Sequence, residues 1–92
     1  MTFEWDGAKA EQNVVKHGVP FEYAARVFRD EHRLDAPDAR HDYGEERRLT
    51  LGEIEGRIYA VAYTMREKVV RLISARKANE REQKQYYGTL SA

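Results

Sequence analysis

Two apolar runs rich in β-branched and aromatic residues, Ile58 to Met65 and Val69 to Ala75, flank a charged tripeptide, Arg66-Glu67-Lys68. Runs of this length around a short polar turn pair as a β-hairpin, and they commit the chain to a fold built on an antiparallel sheet. The same stretch carries residues that a plain core has no use for: Arg66, Arg71, Arg76, Lys77 and the phenol of Tyr63. Arginine presents a planar fork of donors that matches a phosphodiester, so nucleic acid is the first partner to consider.

A chain of 92 residues buries one modest core, which predicts a single domain over residues 1–92. With no cysteine there is neither a disulfide framework nor a thiolate metal site. No apolar run approaches the roughly 18 residues of a membrane span. The start, Met1-Thr2-Phe3-Glu4-Trp5-Asp6, lacks the basic-then-apolar plan of a signal peptide, so a cytoplasmic location is expected. Formal charge is zero, yet residues 1–45 hold six Lys/Arg against ten Asp/Glu, and residues 46–92 hold ten against six. That segregation permits a locally positive surface on a neutral protein.

Along the chain, Phe3-Glu4-Trp5 alternates as a short edge strand, and Asp6 is placed to cap a helix ending at His17, with Gly18 as its left-handed terminus. Pro20 suits the first turn of a second helix, whose Phe21, Ala24, Ala25 and Phe28 form a stripe that should pack on a sheet. Arg29 to Glu46 reads as a polar loop with one short strand near His32 to Asp35. Gly52 to Gly56 reads as a turn, and strands near 46–53, 57–65 and 68–76 form a three-stranded meander. Ala75 to Tyr87 reads as a polar helix closed by Gly88, with residues 88–92 frayed. The class is α+β: a small antiparallel sheet with short edge strands, two N-terminal helices and one C-terminal helix. The thin apolar stripe of the last helix suggests that a partner holds it, with Tyr86 and Tyr87 at the contact.

The order Phe3-Glu4-Trp5-Asp6, Lys9, Asn13, Lys16-His17-Gly18-Val19, Phe21, Phe28, Arg40-His41 and Tyr43-Gly44-Glu45 continues with Gly52, Gly56-Arg57, Tyr63-Thr64-Met65-Arg66 and Arg71-Leu72-Ile73-Ser74-Ala75-Arg76. End to end, this order closely resembles the BrnT family, the ribonuclease toxins of BrnT/BrnA toxin–antitoxin pairs. The resemblance implies a RelE-like fold and RNA cleavage that arrests translation. It further implies a ribbon-helix-helix antitoxin, BrnA-like, that neutralises the toxin in a two-plus-two complex and alone carries that complex to operator DNA.

Metal-free RNA cleavage makes the ribose 2′-hydroxyl attack the adjacent phosphorus. It needs a base, an acid for the leaving 5′-oxygen, and cations for the phosphorane charge. Arg66, Arg71, Arg76 and Lys77 are the candidates for the phosphate, His41 for proton exchange near neutrality, and Tyr63 for acid or hydrogen-bond donor. Lys16, His17, Arg40 and Arg48 are further candidates for RNA contact. Each has a plainer reading. Regular strand alternation puts Arg71 with Val69 and Ile73 on one face, and Ser74 and Arg76 with Val70 and Leu72 on the other, so from a regular strand they cannot all point into one cleft, while Arg76, where strand is read to become helix, is free to turn either way. Ion pairing would then account for the arginines, and core packing for Tyr63 beside Tyr59 and Val61. Lys16 and His17 suit the negative end of a helix whatever they bind, and His41 suits a solvated loop.

His17, His32 and His41 show no metal-ligand spacing, and no glycine-rich phosphate loop occurs, so neither metal nor nucleotide cofactor is expected. No basic recognition helix supports direct DNA reading. The competing function is a catalytically inactive relative that keeps the fold and the antitoxin-binding surface and serves as a binding partner or co-repressor.

Overall fold

The structure, a computed structural model, describes residues 1–38 and 46–91. Strand β1 (Thr2–Glu4) precedes helix α1 (Gly7–His17) and helix α2 (Phe21–Ala24), which runs on as a 3-10 segment (Ala25–Arg29). Strands β2 (Leu34–Pro37), β3 (Arg47–Ile54), β4 (Arg57–Arg66) and β5 (Val69–Lys77) follow, and helix α3 (Glu80–Ser91) closes the chain. The strands form one sheet in the order β1-β5-β4-β3-β2. Neighbours β2 to β5 pair antiparallel, while β1 lies parallel to β5, with Glu4 opposite Arg71. The sheet is therefore five-stranded and mixed, where the sequence pointed to an antiparallel meander with short edge strands. Hairpins dictate direction along β3–β4–β5; β1 is joined to β5 by most of the chain, so no tight turn imposes an antiparallel pairing.

The first helix forms as its ends dictate. The Asp6 carboxylate accepts the N–H groups of Ala8 and Lys9 at 2.8 and 3.2 Å, and Gly18 takes φ 71° at the C-terminus. The second helix departs from the expected stripe. Phe21, Ala24 and Val27 are each 0% exposed. That spacing of three is the period of a 3-10 helix, and it explains why the α-helical turn tightens after Ala24. Val27 presses on β3 so closely that a Cβ on Gly52 would sit 2.8 Å from the Val27 Cβ. Gly52 is thus a strand residue and no part of a turn. The β3–β4 turn is the pair Glu55-Gly56 alone, with φ 51° and 85°, the double positive φ that a two-residue hairpin needs.

The last helix starts later than the sequence suggested, because β5 pairs with β4 as far as Lys77. Asn79 and Glu82 form a reciprocal cap: the Asn79 side chain accepts the Glu82 N–H at 2.8 Å and the Glu82 carboxylate accepts the Asn79 N–H at 2.9 Å. The helix also continues through Gly88 to Ser91, where fraying was expected.

Two cores flank the sheet. On one face α1, α2 and the 3-10 segment bury Val19, Phe21, Ala24 and Val27 against Tyr59, Val61, Tyr63, Val70, Leu72 and Ala75. On the other face Ala78 and Tyr86 meet Leu51, Ile58 and Ala60. Among the described residues, no helix is long and apolar enough to cross a membrane.

Candidate functional site

The ladder between β4 and β5 is irregular at one point. Ala62 stands opposite Ser74 and Tyr63 opposite Leu72, so Ile73 is an extra residue with nothing across from it. A bulge of one residue inverts the parity of everything beyond it. Val70, Leu72 and Ala75 consequently all face the helix-covered core, and Arg71, Ser74 and Arg76 all face the other way. The regular alternation that would have separated Arg71 from Arg76 does not hold, and the bulge unites them.

Register extends this face across the sheet. Thr64 is opposite both Arg71 and Arg47, Ala60 is opposite Arg76, and Arg66 pairs with Val69 at the end of the hairpin. Four arginines thus share one face, over a floor of the small residues Ala60, Ala62, Thr64 and Ser74. Three of them meet carboxylates, from β1, from the residue after β2, and from α3. Arg71 donates to Glu4 of β1 at 2.9 Å, and Arg47 Nε donates to Asp38 at 3.1 Å. Arg76 donates through both terminal nitrogens to both oxygens of Glu82 on α3, at 2.7 and 2.9 Å. The Glu82 hydrogen bonds raise the Arg76 pKa against the effect of burial. Arg71 and Arg76 keep 28% and 29% of their side chains open, and Arg47 keeps 18%. A groove of about 800 Å³ continues the same face between α3 and strands β2 and β3, walled by Leu34, Ala36, Leu49 and Leu51 and rimmed by Glu82. Such a surface can hold a phosphodiester through two-point guanidinium contacts with an apolar wall alongside.

The remaining candidates stand elsewhere. Tyr63 and Arg48 are opposite each other on the helix-covered face, joined through Asp35 of β2. The Tyr63 hydroxyl donates to Asp35, as do Arg48 Nε at 2.5 Å and Arg33 at 2.7 Å, and Arg33 lies over the Phe28 ring. Burial opposes ionisation of Asp35, but these three donors together hold its carboxyl below the usual range. Burial and the adjacent Asp35 push the Tyr63 phenol up, which suits a structural donor better than an acid. Lys77 is exposed and opposite Tyr59, hence on the face away from Arg76. Lys16 and His17 sit in the last turn of α1. Arg40 and His41 fall outside the described residues. Tyr86, expected at a partner contact, is 1% exposed and belongs to the chain's own second core, where its hydroxyl donates to Asp30 at 2.5 Å. Tyr87 remains 44% exposed. Among the described residues, no group of three or more His, Asp or Glu is placed to hold a metal.

Sequence reasoning missed Arg47, Glu4 and Glu82. The spacing Asn79-x-x-Glu82 was a readable cap signal. Arg47 shares the parity of Leu49 and Leu51, yet parity alone does not say which side of a sheet lies open. No curated protein matches the chain. Residues 5–82, from Trp5 beside the edge strand to Glu82 on α3, match the family described as ribonuclease toxin, BrnT, of type II toxin-antitoxin system, and the chain belongs to that family.

Proposed function

We propose that the chain is a metal-independent endoribonuclease that arrests translation, with the arginine face of the sheet as its active site. The observation that carries this reading is the bulge at Ile73, which gathers Arg71 and Arg76 on the face that also bears Arg47 and Arg66. Arg71 and Arg76 grip the scissile phosphate and stabilise the phosphorane, with Arg47 and Arg66 on flanking phosphates. A flanking base lies against the apolar wall of the groove. His41, in the connection that leaves Asp38 and returns at Glu46 beside Arg47, exchanges the proton. A ribbon-helix-helix antitoxin neutralises the toxin in a two-plus-two complex and supplies the operator contacts. Tyr87 and Leu90, exposed one turn apart on α3, are the apolar contacts offered to it.

The test is incubation of purified protein with RNA in EDTA, followed by analysis of the new ends. Products ending in 2′,3′-cyclic phosphate and 5′-hydroxyl, lost in Arg76→Ala and His41→Ala, support the reading. Cleavage that requires an added divalent ion would overturn the metal-independent step. One observation favours the second reading, an inactive binding partner: Glu4, Asp38 and Glu82 already neutralise three of the arginines. Soluble protein that neither cleaves RNA nor slows growth would decide for it.

A further inference from the structure

We infer that Glu82, presented by α3, is an internal counter-anion that occupies the Arg76 fork where a phosphate would sit, so that its carboxylate gates the site. This rests on the reading of the arginine face as the phosphate-binding surface. Each terminal nitrogen of Arg76 donates to its own oxygen of Glu82, the two-point contact with which a guanidinium takes a phosphate. The Glu4 contact with Arg71 uses a single nitrogen and a single oxygen, from an edge strand of three residues. Of these two pairs, the Arg76 pair is the one an incoming phosphate must break outright.

Glu82 is not positioned by Arg76 alone. Its carboxylate also accepts the Asn79 N–H, while the Asn79 side chain holds the Glu82 N–H, so the helix start presents the carboxylate to the arginine. The Asn79 half of this cap does not depend on the Glu82 charge, so the carboxylate can swing away without unwinding α3. The body of the helix stays attached by Ala78 and Tyr86 in the second core and by the Tyr86 bond to Asp30. An anion that captures Arg76 therefore releases Glu82 toward the groove it rims, and a partner that grips α3 changes the availability of Arg76.

Glu82→Gln separates the roles, because glutamine retains the reciprocal cap but not the charge. The probe is inorganic pyrophosphate, titrated by calorimetry in every variant, with the Arg76 Nε–H resonance followed by NMR wherever Arg76 is kept. Loss of the competing charge-assisted contacts should tighten pyrophosphate binding by on the order of tenfold in Glu82→Gln. Glu80→Gln, which removes an equal charge from the exposed Glu80–Lys84 pair, should match the parent. Glu82→Asp, which shortens the reach but keeps the charge, should give a smaller gain. The inference fails if Glu82→Gln binds no tighter than Glu80→Gln, or if its gain persists when Arg76 is alanine. Should the glutamine variant unfold, the aspartate variant decides alone. The readout needs no RNA chemistry: a tightened pyrophosphate site without cleavage in any variant would sink the nuclease reading and leave this one standing. Cleavage dependent on Arg76 with unchanged pyrophosphate affinity in Glu82→Gln would do the reverse.

Discussion

At Ala75 the edge strand β1 has already ended, and the backbone N–H and C=O that would have met it turn toward α1. There the Asn13 carboxamide accepts the N–H at 3.1 Å and donates to the C=O at 2.8 Å, with a second donation to Val19 at 2.8 Å. One side chain thus replaces a strand neighbour immediately before Arg76. Asn13→Ala should cost about 2–4 kcal/mol in urea unfolding, because it leaves buried backbone groups without partners; a loss of only a few tenths would show that water substitutes. Gly52→Ala should cost about 1–3 kcal/mol by overpacking against Val27, read the same way. At the site, alanine at Arg71 or Arg76 should each lower the RNA cleavage rate by about 10²- to 10³-fold. Arg48→Ala, on the opposite face, should act chiefly on stability through Asp35. The sequence named Arg71 and Arg76 by chemistry. It could not show them to be cofacial, since the bulge at Ile73 leaves no residue-level mark beyond an apolar run.

Elements were legible where a local signal exists and misjudged where packing chose. Asp6 and Gly18 delimit α1 as expected. The second helix tightens to 3-10 because the sheet beneath accepts Phe21, Ala24 and Val27 in a row, a preference that belongs to the partner surface. The thin apolar stripe of α3 suggests a partner to hold it, yet within the chain Tyr86 anchors it through burial and through Asp30, which also accepts the N–H groups of Glu53 and His32 at 2.9 Å. Tyr86→Phe keeps the ring and removes the donor. It should cost about 1 kcal/mol, and amide exchange in α3 should quicken while β4 stays protected. Equal protection of α3 in both proteins would mean that apolar contact alone holds the helix.

Across the molecule, β2 and α3 are both fastened by aspartates with lowered pKa values. At Asp30 burial opposes the charge and the bonds from Tyr86, Glu53 and His32 prevail; at Asp35 burial likewise yields to Tyr63, Arg48 and Arg33. A carboxyl depressed in the folded state contributes stability that is fully present above its unfolded value, 3.8 for both groups. That contribution is lost as pH falls through the folded value, since the unfolded chain binds protons first. Urea unfolding should therefore show stability declining as pH drops below about 4, and Asp30→Asn with Asp35→Asn should flatten that decline. An unchanged slope would remove these carboxylates as its cause. By itself the sequence determined what depends on neighbours along the chain: the hairpin runs, the α1 caps, the residue types suited to phosphate, and the end-to-end order that marks the family. The tertiary structure alone decided which side of the sheet each arginine occupies, that β1 joins β5 in parallel, and that Glu82 meets Arg76. Those outcomes depend on registers and contacts between residues far apart in the chain, where a shift of one position moves a side chain from one face of the sheet to the other.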